Sequence, residues 1–569
     1  MLNKEKIANN FKLPIFYNNK KKQLSSVLKE DLELINAKEN KQSVCQELLQ
    51  TENDFEESLL DSWSEYYTTD KSFLKDHQTF LKQTKDFVKD DSQINNIGKV
   101  WENIKKETNF LEKYQYLEWD RLSFLNQSKF FLSILSFYNI SSPIIQLLTP
   151  VFFFITPFFI MRGMGMKIDT ETYYNILKFN LTQQPFIKLF VSFNTMSLGQ
   201  QIYGLLMLGL YIYNFYSNIV SCYKFYIQMK FLTKEFDTIN NYLDYTKKNM
   251  NIVRKRIENL NGFRFFKNEL ERNIQKIEKF KNDVKYIPKN IFKGFNISYI
   301  GTIMKFYYLL WDNLDIEEMF FYSFGFNCYY NNIIGLQKSI THKKINKCTY
   351  SKKNVKLTQF YHPNIVGKTI KNNIEMKKNK IITGPNAAGK TTLLKSITIN
   401  IILSQQIGFG YYKRAKINPY DQIHCYINIP DTNNRDSLFQ SEARRCKNIL
   451  DNINNNKKDR HFCIFDELYS GTNPYEAIAS AYSYLKYISK IKNVSFVLTT
   501  HYINLCKKLN KVENIENINM KSKIVNNKPI YFYKIENGIS KIKGGVHVLK
   551  QLGYPEVIIK TSRSILEEL

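Results

Sequence analysis

The sequence predicts an α/β fold with a parallel sheet over roughly the last two fifths of the chain, preceded by a region that is mostly helical. Three stretches carry that expectation. Ile381-Ile382 closes a short apolar strand, which runs into a glycine-rich turn and then a helix starting near Lys390. His461 to Phe465 is a strand of the buried kind and ends at Asp466-Glu467. Val494 to Thr499 is a third strand and ends at Thr500-His501. Apolar strands that all deliver polar groups at their C-terminal ends are the pattern of an open α/β sheet, whose ligand sits outside those ends.

The turn suits phosphate. Gly384-Pro385-Asn386-Ala387-Ala388-Gly389-Lys390-Thr391-Thr392 fits G-x-x-x-x-G-K-[ST]. Gly384 and Gly389 let the backbone bend so that successive N–H groups face phosphate oxygens. Lys390 reaches the outer phosphates as a point charge, and the Thr391 hydroxyl can ligate Mg²⁺. Asp466 can hold the water shell of the same ion, Glu467 can orient an attacking water, and His501 can touch the γ-phosphate. The alternative, a chance glycine loop beside an exposed acidic pair, does not account for three strands ending this way.

With those residues in place a resemblance becomes specific. Gly384 to Thr392 looks like the phosphate-binding loop of the MutS family of DNA mismatch-repair ATPases. Ser437-Leu438-Phe439-Gln440-Ser441-Glu442 resembles its S-T-F-x-x-E segment, and Phe465 to Thr472 its M-D-E-x-x-x-G-T stretch. Thr500-His501-Tyr502 matches its T-H-Y. Gly538 to Lys541, Gly545 and Leu552 to Ile558 resemble its closing segment, and Tyr361-His362-Pro363 its upstream H-P. The match covers about residues 355–569. Ala388 stands where the family often has Gly, Leu438 where it has Thr, and Thr369 near the place of an aromatic residue that stacks on adenine.

The resemblance implies an ABC-type P-loop ATPase using ATP and Mg²⁺. Gly384 through Thr392 would bind the nucleotide, Thr391 and Asp466 the metal. Lys390, Glu467 and His501 would carry the chemistry, and Asn386 would sense the γ-phosphate. Ser437 would serve the site of a second protomer, so a homodimer is expected. DNA is the partner the family implies, with an ATP-driven change of affinity for mismatched or branched duplex. A membrane-tethered ATPase acting on a non-DNA partner, or a scaffold, is the alternative.

A chain of 569 residues needs more than one core. Lys and Arg number 81 against 52 Asp and Glu, a net charge of +29. That excess suits nucleic acid or anionic lipid, and it equally suits a composition rich in Lys, Asn and Ile throughout. The eight cysteines are scattered without zinc spacing, which points to an intracellular, reducing compartment. Met1 to Ile7 has no apolar signal region, so no cleaved signal peptide is expected.

Residues 1–128 read as a helical N-terminal region. Leu24, Leu28, Leu32 and Ile35 form an apolar stripe, and a turn-rich gap at Asp90–Gly98 precedes a helix over Val100–Leu122. Phe55-Glu56-Glu57 fits the F-x-E by which mismatch recognisers wedge DNA, but its acidic surroundings would repel phosphate.

Residues 129–225 read as an apolar helical hairpin, a transmembrane pair. No charge occurs over 130–161 or 189–223, each longer than the ~20 residues that span a bilayer. Pro143, Pro150 and Pro157 would break a soluble helix and are tolerated better in a membrane. Lys129, Lys224 and Lys230 flank the runs as the positive-inside rule requires, which keeps the ATPase cytosolic. A pair of soluble core helices is the competing reading.

Residues 226–345 read as lever-like helices and a connector. Leu232, Phe236, Ile239, Leu243, Thr246, Met250, Val253, Ile257 and Leu260 form an a/d seam, in a helical hairpin or a dimeric coiled coil. Tyr307, Tyr308, Phe320, Phe321 and Tyr322 read as core. Lys343–Lys356 reads as a basic linker, and residues 346–569 as the ATPase domain.

Overall fold

The computed structural model describes residues 3–37, 42–165, 169–183, 189, 193–285, 297–365, 369–427, 437–525, 528–540, 542, 546, 549–550 and 552–568. Lys541, Gly545 and residues 428–436 lie outside them.

In chain order, a two-stranded ribbon pairs β1 (Lys21–Gln23) with β2 (Tyr66–Thr68). Helix α1 (Lys71–Lys82) starts where the Asp70 carboxylate accepts from the N–H groups of Ser72 and Phe73. Helix α2 (Asp91–Lys105) occupies the stretch expected to be turn-rich. Asp90 caps it, and Ile94, Ile97, Val100, Trp101 and Ile104 bury one face, which outweighs the propensity cost of Asn and Gly98. The helix expected to reach Leu122 stops at Lys105 instead.

The long helices follow. α3 (Lys129–Gly163) runs unbroken through all three prolines. α4 (Leu198–Arg256) is 59 residues long, and α5 (Arg264–Val284) returns after a short turn. The heptad seam on α4 is buried from Leu232 to Ile257, and so are Phe266, Leu270 and Ile277 on α5. Ion pairs Lys247–Glu278 at 2.8 Å and Arg254–Glu271 at 3.6 Å join the two. The seam therefore closes on its own chain as a hairpin. α6 (Ile297–Asp312) and α7 (Leu314–Thr341) carry the aromatic run, and Tyr307, Tyr308, Phe320, Phe321 and Tyr322 are buried, as core.

The remaining elements are strands with helices between some of them. They are β3 (Asn346–Tyr350), β4 (Lys356–Phe360), β5 (Asn372–Glu375), β6 (Asn379–Thr383), α8 (Lys390–Gln406), β7 (Phe409–Gly410), β8 (Arg414–Ile417) and β9 (Gln422–Tyr426). Then come α9 (Leu438–Asn455), β10 (His461–Asp466), α10 (Pro474–Ile488), β11 (Val494–Thr500), α11 (Ile503–Leu509), β12 (Ile515–Val525), β13 (Lys528–Asn537) and α12 (Glu556–Glu568). Strand β3 lies in what the sequence suggested was a linker. Cys348 is buried there while its neighbours Lys347 and Thr349 point out, a strand alternation that a charge-rich reading hides.

Two sheets result. The larger has the order β13-β12-β6-β11-β10-β9, parallel except for the β12–β13 pair. The smaller has the order β5-β4-β8-β3-β7. Ile381, Cys463, Phe465, Phe496 and Leu498 of the larger sheet are buried with Ala477, Ala481 and Leu485 of α10.

The chain forms two compact units that cut across the stretches delimited from sequence. One holds residues 90–247 and 275–320; the other holds 3–89, 248–274 and 321–569. Residues 3–89 thus share a unit with the two sheets. Side-chain amides bind them there. Gln406 donates to the carbonyls of Trp63 and Tyr66, both at 3.0 Å, and Gln78 to those of Gly408 at 2.7 Å and Cys348 at 3.1 Å. Phe55-Glu56-Glu57 is structural. The Glu56 carboxylate is buried and takes Lys89 at 3.2 Å and the backbone N–H of Glu52 at 2.8 Å.

Candidate functional site

Three strands of the larger sheet end in step. Thr383 of β6 pairs with Thr500 of β11, and Asp466 of β10 with Thr499. The loop from Gly384 to Gly389 crosses those ends into α8. Gly389 has φ 86°, and a Cβ there would stand 3.0 Å from the Tyr533 ring, so both conformation and space ask for glycine. Ala387 adopts φ 65°, a left-handed state that costs an alanine about 1 kcal/mol or more.

Lys390 is almost buried. Its ammonium donates to the carbonyl of Gly384 at 3.1 Å, that of Pro385 at 3.5 Å and Oδ1 of Asn386 at 3.4 Å. Burial holds its pKa below the usual lysine value, and the nearby carboxylates of Glu467 and Asp466 oppose that shift. The oxygens within hydrogen-bond reach of this cation are neutral, with the Glu467 carboxylate farther off at 3.9 Å, so the ammonium can exchange them for an anionic ligand.

Asp466 is pinned by two hydroxyls. Thr391 Oγ1 donates to its Oδ2 at 2.8 Å, and the Thr499 hydroxyl donates to Oδ1. Hydroxyl and carboxylate oxygens are the hard donors that Mg²⁺ takes, and that ion needs few protein ligands. Among the described residues no three His, Cys, Asp or Glu side chains converge as a metal-holding group.

Glu467 sits at φ 53°, a strained state on the rim of the site. Its N–H donates to the carbonyl of Thr499 at 3.0 Å. His501 Nδ1 lies 3.4 Å from Oε1, and Lys390 Nζ lies 3.9 Å from the same oxygen. Its hydrogen bond to His501 holds the Glu467 carboxyl below the usual carboxylate range, with help from Lys390, against the effect of burial.

The loop that follows is held from α9. The buried Glu442 carboxylate accepts from the N–H and hydroxyl of Ser470, at 3.1 and 2.9 Å, and from the N–H of Gly471 at 3.1 Å. A Cβ on Gly471 would meet Leu438 at 2.6 Å, so the approach of α9 requires glycine here. These charge-assisted bonds fix the turn that aims Glu467.

Two adjoining cavities flank Gly389. The first, about 700 Å³, is lined by Asn386, Ala387, Gly389, Lys390, Thr391, Thr392, Asp466 and Glu467, together with Tyr426, Leu438, Glu442, Ser470 and Tyr533. Eight of the residues expected from sequence are therefore brought together. Gly384, Pro385 and Ala388 are buried behind them. His501 is not in the lining and reaches the cavity through Glu467. Ser437 stays exposed, its side chain spent on the N-cap of α9, where Oγ accepts from Gln440 N–H at 3.3 Å.

The second cavity, about 410 Å³, is largely apolar, with Phe360, Tyr361, His362, Ile370, Leu393 and Met520 in its wall. Thr369 is not part of it; its neighbour Ile370 is. Burial, then the nearby Lys395, pushes the His362 pKa down to about 4, so its ring is neutral. Its Nδ1 accepts from the N–H of Asn364 at 3.2 Å, which leaves the ring proton on Nε2.

Tyr533 lines both cavities and had no sequence signal. It lies where the β12–β13 register shifts between Met520 and Ser522, at φ 53°. Asn372 brackets it, donating to the Tyr533 carbonyl and accepting from the N–H of Ile535, both at 2.9 Å. A bulge re-aims a side chain in this way.

Comparison with known proteins agrees with this geometry. A family model described as MutS domain V matches residues 380–569. The DNA mismatch repair protein MutS of Chlamydia abortus is 32% identical over 210 residues, which is 36% of this chain and 25% of that protein. The protein of the same name from Phocaeicola vulgatus is 33% identical over 192 residues, 33% of this chain and 22% of its own. That of Persephonella marina is 30% identical over 219 residues, 37% of this chain and 25% of its own. The matched part thus spans about a quarter of the length of these relatives.

Proposed function

This chain belongs to the MutS family through its C-terminal region, and from that premise we propose that it binds and hydrolyses ATP and uses the two states so created to change its affinity for DNA. One observation carries the ATPase reading: Lys390, Thr391, Asp466 and Glu467 meet in one cavity at the ends of three strands.

The N–H groups of the loop and the Lys390 ammonium draw in the phosphates, and Lys390 trades its carbonyl partners for phosphate oxygens. Thr391 and Asp466 would hold Mg²⁺, which would supply charge neutralisation at the phosphates. Glu467 accepts a hydrogen bond from the attacking water. A carboxylate kept at low pKa is a weak proton acceptor, so its part is to orient that water. His501 fixes the Glu467 carboxylate. The neighbouring apolar cavity takes the adenine, with neutral His362 and Tyr533 as flat contacts. Ser437, exposed at the start of α9, completes the site of a second copy.

Hydrolysis per protomer against protein concentration tests the shared site. It falls on dilution if Ser437 acts across a dimer; a flat rate down to monomer rejects that. Binding to matched and mismatched duplex, with and without ATP, tests the DNA half.

A second reading concerns the apolar helices of the other unit. Their candidate membrane-spanning windows are almost wholly unburied. Phe130, Phe137, Ile144, Leu147, Leu206 and Ile212 are exposed, which supports the membrane pair over core helices of this chain. Gln146 and Asn218, polar residues inside the apolar stretch, hydrogen-bond each other, and the Tyr211 hydroxyl donates to the Gln146 carbonyl at 3.2 Å. Pairing of that kind is what hydrocarbon demands. Tethering by this pair of helices is compatible with the ATPase reading, and retention in membranes after an alkaline wash tests it.

A further inference from the structure

We propose that the outward face of the five-stranded sheet, with the exposed side of α1 beside it, binds the phosphate backbone of a nucleic acid. This rests on the DNA half of the function proposed above and assigns it a surface.

Strand register builds the face. On β3, Lys347 and Thr349 point outward around buried Cys348; on β8, Arg414 and Lys416 point outward around buried Ala415. Thr349 pairs with Lys416, and Lys416 in turn lies opposite Lys356 of β4. Alternate residues on a strand are about 6.7 Å apart and neighbouring strands about 4.8 Å, so these cations form a two-dimensional grid. Lys75 and Lys82 of α1 extend it past Lys347, whose ammonium is pushed below the usual lysine range by burial first and then by those two lysines. Lys71 shows the same effect from burial, then from Arg460 and Lys352.

The grid is poorly neutralised. Among the described residues, Lys75, Lys82, Lys347, Lys352, Arg414 and Lys416 have no carboxylate within ion-pair distance. Glu375, on the far strand, is shared by Lys356 at 3.3 Å and Lys377 at 3.6 Å. Asp76 on α1 is taken by the N–H of Gly262 at 2.8 Å. Like charges placed directly opposite, as Lys356 and Lys416 are, work against the sheet. A fold that keeps them has a use for the field they make.

The chemistry selects the ligand. Cations spread over several strands suit a row of phosphates better than one small anion. Gln359 of β4 is exposed, and its side-chain amide can donate to phosphate oxygens as well. A lipid surface is the other polyanion, but membrane-binding faces interleave cations with apolar side chains that enter the bilayer. Every large apolar residue of α1, β3, β4 and β8 is turned inward.

The test uses the full-length protein and a labelled duplex of 30 base pairs, titrated over a salt series. In the combined variant Lys347→Gln, Arg414→Gln, Lys416→Gln the slope of log K against log salt should fall by about 0.9 per lost phosphate contact, or about 3 in all. ATP hydrolysis without DNA should not change, which also shows the variant folded. The pair Lys75→Gln, Lys82→Gln, on a different element, should give a smaller fall of the same kind and covers the case in which the sheet variant fails to fold. An unchanged slope in a folded variant overturns this surface while leaving the DNA reading intact. Absence of duplex binding by the unaltered protein overturns both. Loss of binding to phosphatidylserine vesicles with duplex binding intact gives the face to lipid and overturns the proposal.

Discussion

The two compact units put the same kinds of residue to opposite uses. In the sheet-bearing unit Ile381, Phe465, Phe496 and Leu498 are shut away from solvent beneath α10. On α3 and α4 residues of the same types face outward over many turns, and the polar ones, Gln146 and Asn218, face each other. A protein interior in water hides apolar groups; a surface in hydrocarbon shows them and hides the polar ones. The contrast is the one that two different solvents would produce, and it is what the proposed membrane tether rests on. It also predicts that each can be damaged without the other.

The largest effect is expected from Glu467→Gln, which keeps the shape of the site and removes the charge that orients water. Phosphate release should fall by about 100-fold or more while ATP is still bound, and membrane retention should not move. Turnover at the original rate would remove Glu467 from the mechanism. Next comes Leu206→Arg, which sets a charge on the outward face of α4. At a cost of about 2.5–3.5 kcal/mol in a bilayer it should release the protein from alkaline-washed membranes, with hydrolysis kept. If fractionation is the same with and without the arginine, the contrast between the units is broken.

Tyr533→Ala should raise KM for ATP by about 5- to 10-fold, roughly 1 kcal/mol of ring contact, and leave kcat near its starting value. His501→Ala is read in a pH profile. Because His501 holds the Glu467 carboxyl below its ordinary range, Glu467 stays ionised as the pH falls. Without the histidine that pKa rises, so the acid limb of hydrolysis should begin at a higher pH; an unmoved limb would separate the two residues. The smallest effect belongs to Asn218→Leu, which deletes a hydrogen bond between α3 and α4. Membrane helices lose only about 0.6 kcal/mol in such cases, visible as a small fall in unfolding midpoint in detergent.

Some of this is legible in the sequence alone. The loop from Gly384 to Thr392, Asp466 and Glu467 are tied to strand ends by short spacings, and apolar strands followed by polar termini are local patterns. The seam from Leu232 to Ile257 was legible too, since a heptad is a local rhythm, although its partner was open between α5 and a second chain. The reading failed where charge or polar composition masked a period of two or 3.6. Lys347 hides strand β3, and the Asn residues and Gly98 hide helix α2. It failed again where residues distant in sequence meet, as with Gln78 and Gln406 binding the N-terminal segment to the sheets.

The sequence by itself determined the phosphate loop, the acidic strand end and the apolar runs, because each is written in neighbours a few residues apart and obeys helix or strand geometry alone. Only the tertiary structure decided that His362, Ile370, Met520 and Tyr533 form one cavity, that Glu442 steadies the turn after Glu467, and that the cations of β3, β8 and α1 share one face. Those arrangements depend on strand order, register and a bulge, which are set by which surfaces bury against which, and no short window of sequence contains that information.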